Sequence, residues 1–276
     1  LHCYLLAQLG GRAPVGSLNR ATKYILSRVK HGKYVTDGET RTGPEFGDGN
    51  QLGTHHYWAD TYRPKGMATS GAQVFAYNQG LLCLALRCLE EMDIAVQPSI
   101  RRQAERIYAQ MVNPRDGQSL PQREDSDVVD VSALVGEALS LYWFDRPLLD
   151  TSRVEATFNR LARVTYPDGA FLGFKVISSF GGGYRPMAEF SATPINVPGR
   201  YQNGASWLLY DVLALYVAAR HGIPGALDDF LDRLQSEVRR TWASHEFICT
   251  NRKNLGESDP ARDGYGWNAF VLNLLP

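Results

Sequence analysis

Between Gly71 and Met92 the apolar residues Val74, Tyr77, Leu81, Leu82, Ala85, Cys88, Leu89 and Met92 recur every three or four positions. That repeat belongs to a helix burying one face. The same reading predicts helices over Ser17–Lys30, Ser99–Val112, Asp130–Phe144, Ser152–Ala162, Ala205–Arg220 and Ala226–Arg240, with a short last one over Trp267–Leu275. Ser17 is the expected N-cap of the first, and Ser152 with Glu155 forms the expected capping box of the fifth. The segments alternate in character. Those starting at Gly71, Asp130 and Ala205 are apolar on most sides, whereas those starting at Ser99, Ser152 and Ala226 carry a polar face. A buried helix followed by a half-solvated partner gives this alternation when helix pairs form two layers. The expected fold class is therefore all-α, a single domain over residues 1–276, with inner and outer helices.

Short turns such as Asn113-Pro114-Arg115-Asp116-Gly117 close the helices. Three connections are long: Gly32 to Ser70, Pro167 to Asn203 and Thr241 to Gly266. Long connections in a compact domain commonly carry function, and these hold most of the glycines, aromatics and isolated carboxylates. Two of them contain polar segments that set a carboxylate among aromatic residues: Tyr57-Trp58-Ala59-Asp60-Thr61-Tyr62 and Trp242-Ala243-Ser244-His245-Glu246-Phe247. A carboxyl acid, a carboxyl base and flat aromatic surfaces are what cleavage of a glycosidic bond needs.

Composition narrows the field of partners. Lys plus Arg and Asp plus Glu number 29 each, so no bulk charge draws the chain to nucleic acid or to an acidic membrane. A neutral sugar, small or oligomeric, suits it better; Arg185 and Arg200 leave room for an acidic one. The longest apolar run, Trp207 to Ala219, contains Asp211 and is shorter than the roughly 20 residues a membrane span requires. Cys3, Cys83, Cys88 and Cys249 have neither zinc nor disulfide-framework spacing, which favours a reducing, cytoplasmic setting. His55 and His56 lack a matching third ligand, and no metal or cofactor is expected. Gly181-Gly182-Gly183 lacks the Lys-Ser/Thr ending of a phosphate loop and reads as a tight turn or a lid.

The segment Tyr201-Gln202-Asn203-Gly204-Ala205-Ser206-Trp207 resembles the Tyr-His/Gln-Asn-Gly-Gly-x-Trp run that opens a late inner helix in the six-hairpin glycosidases, the group of the neutral invertases, trehalases, glucoamylases and processing glucosidases. Trp242 to Phe247 is similar to that group's Trp-x-Glu-Tyr segment, and Gly264-Tyr265-Gly266-Trp267-Asn268-Ala269 to the run opening its last inner helix. The resemblance implies an (α/α)6 toroid that hydrolyses a glycoside with inversion. Taking Trp267 as the start of helix twelve and counting back makes the Ser17 segment helix five. Asp60 then falls in the five–six loop, where the group keeps its general acid, and Glu246 in the eleven–twelve loop, where it keeps its base. The count leaves most of helices one to four absent, so the chain is expected to be the C-terminal part of a longer polypeptide, its toroid closing on the missing part.

By the same resemblance Asp60 and Glu246 are the catalytic pair. His56, Tyr57, Trp58, Tyr62, Gln202, Asn203, Trp207, His245 and Trp267 are the expected substrate-binding residues. Asp127, Asp130 and Glu189 are the rivals for the acid, Asp130 also being a natural N-cap. Two other functions use the same fold: a lyase or epimerase with Tyr57 or His56 as base, and a carbohydrate-binding toroid without catalysis.

Overall fold

The computed structural model describes residues 15–35, 40–41, 52–53, 58–59, 61–62, 73–190, 195–241 and 247–257. Within them lie seven helices: α1 Val15–Ser27, α2 Ala76–Glu91, α3 Pro98–Gln110, α4 Val135–Phe144, α5 Thr151–Arg160, α6 Leu208–Arg220 and α7 Ala226–Thr241. Helix packing dominates the described part. The expected tail of an earlier helix at Leu1–Leu9 and the last helix from Trp267 lie outside the described residues.

Burial follows the alternation of the sequence. Helix α2 buries Leu82, Cys83, Leu84, Leu86, Cys88 and Leu89, and α6 buries nine of its residues, from Leu208 to Ala218. By contrast α3 buries only Ala104 and Tyr108, and α5 only Val154, Thr157 and Phe158. In space α2 packs on α4 and α4 on α6, while α3 covers α2, and α5 and α7 cover α6. The buried helices thus stand side by side and each half-solvated helix shields one of them. Removing this much apolar side chain from water supplies the main driving force, roughly 25 cal/mol per Å².

Helices α2 and α4 cross at two glycines. A Cβ placed on Gly136 would stand 2.3 Å from Gly80 Cα, so only hydrogen at both positions lets the backbones meet. Behind α6, Asp211 and Arg233 form an ion pair that is 0% and 1% exposed, Nε to Oδ2 2.9 Å. Asp211 also accepts from the Phe174 amide (2.9 Å) and the Ser206 hydroxyl (2.6 Å). A Cβ on Gly173, whose φ is +149°, would strike both Ser206 and Asp211. Glu137, fully buried, accepts from the amides of Leu148 and Leu149 and pairs with His221 Nε2 at 2.8 Å. That arrangement ties the α4–α5 connection to the end of α6.

Several details differ from the sequence reading. Helix α1 begins at Val15, so Ser17 lies inside it. Helix α5 begins at Thr151 and is capped by Asp150, whose Oδ1 accepts from the Arg153 amide at 2.7 Å and from the Ser152 hydroxyl at 2.7 Å, its charge suiting the helix N-terminus. Helix α6 starts at Leu208, three residues after Ala205.

The long connection from Pro167 is partly regular. Strand β6 (Arg163–Thr165) pairs with β7 (Phe171–Phe174) around an Asp168-Gly169 turn, and β5 (Val129–Asp130) pairs with β8 (Ile177–Ser178). Two further pairs, β1 (Val29–Lys30) with β2 (Lys33–Tyr34) and β3 (Thr40–Arg41) with β4 (Leu52–Gly53), complete the strands. All are too short to carry a clear period-two signal. Cys83 and Cys88 are buried free thiols, packing as small apolar groups, and Cys249 is buried as well. No helix of the described residues is long and apolar enough to cross a membrane.

Candidate functional site

Trp58, from one of the segments singled out in the sequence, lies against Asp130 and Trp207, the residues that lead into α4 and α6. Phe75 precedes α2. Asp130 precedes a 3-10 turn, Val131–Leu134, that leads into α4, and Trp207 precedes α6. Asp130 caps its turn by accepting from the Ser132 amide at 2.8 Å, and its second oxygen faces the indole N–H of Trp58 at 3.3 Å. The N-cap role expected of Asp130 is therefore filled.

Trp207 is the hub of an aromatic cluster. Trp58 meets it edge-on at 5.7 Å and also touches Tyr210 at 4.8 Å. Phe247 stacks on it at 6.1 Å, and Tyr201 contacts both Trp207 (5.4 Å) and Phe247 (5.6 Å). Such offset and edge-to-face pairs each add about 0.5–1.5 kcal/mol beyond the area they bury. The Trp207 indole donates to the Tyr201 carbonyl at 3.2 Å. Next to it, Ser206 and Ile248 exchange two backbone hydrogen bonds, 3.0 and 2.8 Å. These bonds fasten the strand-like stretch after Phe247 to the start of α6.

A polar lattice lies on the other flank. Thr61 donates through both its amide and its hydroxyl to Gln202 Oε1 (3.0 and 2.5 Å) and accepts from Asn196 Nδ2 at 3.0 Å. Asn203 accepts from the Arg185 amide and donates to the carbonyls of Arg185 and Asn196. Gln202 and Asn203 are 1% and 0% exposed. Their turn needs unusual backbone, Tyr201 at φ +43° and Gly204 at +82°. Gly204 is required twice over, since a Cβ there would lie 2.7 Å from the Tyr184 ring. These side chains brace one segment against another.

Beside this lattice opens a cavity of about 430 Å³, within the usual range of small-molecule pockets. Its walls include Tyr62, Arg115, Arg123, Asp125, Asp127, Arg185 and Glu189. Arg185 grips Glu189 with two bonds of 2.8 Å, and the Tyr62 hydroxyl donates to Glu189 Oε2 at 3.0 Å. Burial pushes the Tyr62 hydroxyl far above its ordinary range, with Glu189 adding to the rise and Arg185 opposing it. Tyr62 therefore serves as a hydrogen-bond donor at any working pH. Arg115 pairs with Asp127 at 3.1 Å.

Of the expected site residues, Trp58, Tyr62, Gln202, Asn203 and Trp207 are thus brought to one end of the helix layer. Asp60, Glu246, His56, Tyr57, His245 and Trp267 lie outside the described residues. The rivals Asp127 and Glu189 share the cavity, but each already receives a guanidinium. A proton on either Glu189 oxygen would set a donor against Arg185 or Tyr62. Asn196 and Arg123 escaped the sequence reading, and Thr61 entered it only as part of the Tyr57–Tyr62 segment. Thr61 and Asn196 are buried polar groups in long connections, and no spacing rule marks a buried Asn. Arg123 stands in the polar run Gln122-Arg123-Glu124-Asp125, which reads as solvated surface.

No protein-family model matches the chain, and no curated protein matches it.

Proposed function

We propose that the protein is an inverting glycoside hydrolase on an (α/α)6 toroid, with Asp60 as general acid and Glu246 as general base. The observation that carries this reading is convergence. Trp58, two residues before Asp60, and Phe247, next after Glu246, both pack on Trp207. Trp58 and Phe247 come from segments far apart in sequence, each with a carboxylate among aromatics in its wording, and the two rings meet on Trp207 at the mouth of one buried helix. In the proposed reaction Asp60 gives its proton to the departing glycosidic oxygen as that bond breaks. Glu246 takes a proton from the water that adds to the anomeric carbon from the opposite face. A carboxyl separation of roughly 6.5–9.5 Å leaves room for that water. His56, Tyr57, His245 and Trp267 are the proposed sugar contacts. Trp207 joins Trp58 and Phe247 through ring contacts, and Gln202 and Asn203 join Thr61, Arg185 and Asn196 through hydrogen bonds.

Kinetics of two variants of the full polypeptide test the roles. Glu246→Gln keeps the side chain's size but cannot accept the water's proton, and turnover should fall by about 10²–10⁴-fold for every leaving group. Asp60→Asn should slow substrates with poor leaving groups far more than activated aryl glycosides, whose departure needs little protonation. Equal loss on both substrate types would remove Asp60 from the acid's role, and near-normal turnover of Glu246→Gln would remove Glu246 from the base's.

A further inference from the structure

Two of the three arginines in the 430 Å³ cavity are neutralised by the protein itself, Arg115 by Asp127 and Arg185 by Glu189. Arg123 differs. Among the described residues no carboxylate lies within ion-pair distance of it, and its Nε is buried without a hydrogen-bond partner. A buried donor left unmade is costly, the more so on a charged group. The backbone that carries it is fixed. Its neighbours are clamped to the start of α2, the Ala76 amide donating to Gln122 and the Glu124 amide to Val74, each at 3.0 Å. Asp125, two residues on, is exposed on left-handed backbone (φ +61°) and makes no pair with it.

We infer that Arg123 is a specificity determinant that receives an oxyanion substituent of the saccharide, a carboxylate or a phosphate, in this cavity. The inference rests on the reading of the protein as carbohydrate-active. A guanidinium offers a planar fork of N–H donors that matches both groups, and a charge-assisted bond is roughly twice as strong as one to a sugar hydroxyl. The paired Arg185–Glu189 and the Tyr62 hydroxyl form a wall that offers both donors and acceptors to ring hydroxyls. A neutral glycoside would fit the same space and leave the charge of Arg123 without a counterpart.

Titration calorimetry with methyl glucoside, methyl glucuronide and glucose 6-phosphate tests this on the full polypeptide, without requiring turnover. At least one anionic ligand should bind about tenfold or more tightly than methyl glucoside, as expected for an added charge-assisted contact. The preference should be lost in Arg123→Met and largely kept in Arg123→Lys. Preference for the glucuronide assigns a carboxylate, and preference for the phosphate ester assigns a phosphate. No preference in the wild type, or a preference that survives Arg123→Met, overturns the inference. Should Arg123→Met fail to fold, the wild-type comparison and Arg123→Lys still decide, because an anion preference absent from the wild type sinks it directly. Arg123-dependent binding without glycoside cleavage would leave the inference standing and defeat the hydrolase reading. Cleavage of neutral glycosides with no anion preference would do the reverse.

Discussion

Replacing Gly136 by alanine tests the packing that sets the mouths of α2 and α4 side by side. In an exposed helix interior the change would stabilise by up to about 1 kcal/mol, because alanine loses less backbone entropy on folding. Here the added methyl would lie 2.3, 2.6 and 2.9 Å from Gly80 Cα, carbonyl carbon and carbonyl oxygen. Carbon atoms settle near 3.5–4.0 Å, so the two helices must part by on the order of 1 Å. All three close atoms are backbone and cannot swing aside. Overpacking of this kind costs about 1–3 kcal/mol or more, and the rigid neighbour places Gly136→Ala at the upper end. The net expectation is a loss of about 2 kcal/mol, which at roughly 2–4 °C per kcal/mol lowers Tm by several degrees. Gly80→Ala should cost less, its Cβ meeting Gly136 Cα at 2.9 Å and the Tyr108 ring at 3.2 Å. Gly16→Ala, exposed in the first turn of α1, is the control and should be neutral or stabilising by up to about 1 kcal/mol. Urea denaturation with matched m-values gives the three differences. A neutral or stabilising Gly136→Ala would show that α2 and α4 do not meet at these glycines.

Breaking the buried pair behind α6 should be severe: Arg233→Met strands Asp211 in the core and is expected to cost about 3–5 kcal/mol in chemical denaturation, and a cost below about 1 kcal/mol would refute the burial of that pair. Asp150→Ala should cost about 0.5–2 kcal/mol near neutral pH through the lost α5 cap. The Ser152 hydroxyl and the Arg153 amide hold the Asp150 carboxyl below its ordinary range. Its contribution is therefore present above the unfolded value of about 4 and lost as pH falls through the lower folded value. The gap between wild type and Asp150→Ala should narrow on acidification, whereas a gap constant from pH 7 to pH 2 would show that the charge plays no part.

The layering was legible because it rests on periodicity. Leu82, Cys88 and Leu89 on α2, or Phe230 on α7, declare their faces by spacing alone. Contact among Trp58, Trp207 and Phe247 was legible only through the resemblance, which set their segments about one site. The braces were not. The resemblance makes Gln202 and Asn203 sugar ligands at a helix mouth, and no spacing rule announces the hydrogen bonds they make to Thr61, Asn196 and Arg185. Arg123 was lost in a charged run, because its bridge to Phe75 and its place in the cavity wall exist only in the folded chain. The β6–β7 hairpin went unseen because its apolar core, Phe171-Leu172-Gly173-Phe174, is too brief to distinguish a strand from a loop.

The product anomer tests the central proposal most directly. Proton NMR of the sugar released in the first turnovers, from a glycoside of defined configuration, reads the anomeric signal before mutarotation erases it. The account predicts hydrolysis with the opposite anomer appearing first, and silence from Glu246→Gln under the same conditions. A first-formed product of retained configuration, an unsaturated sugar in place of hydrolysis, or the inverted product still appearing from Glu246→Gln at the wild-type rate would contradict it.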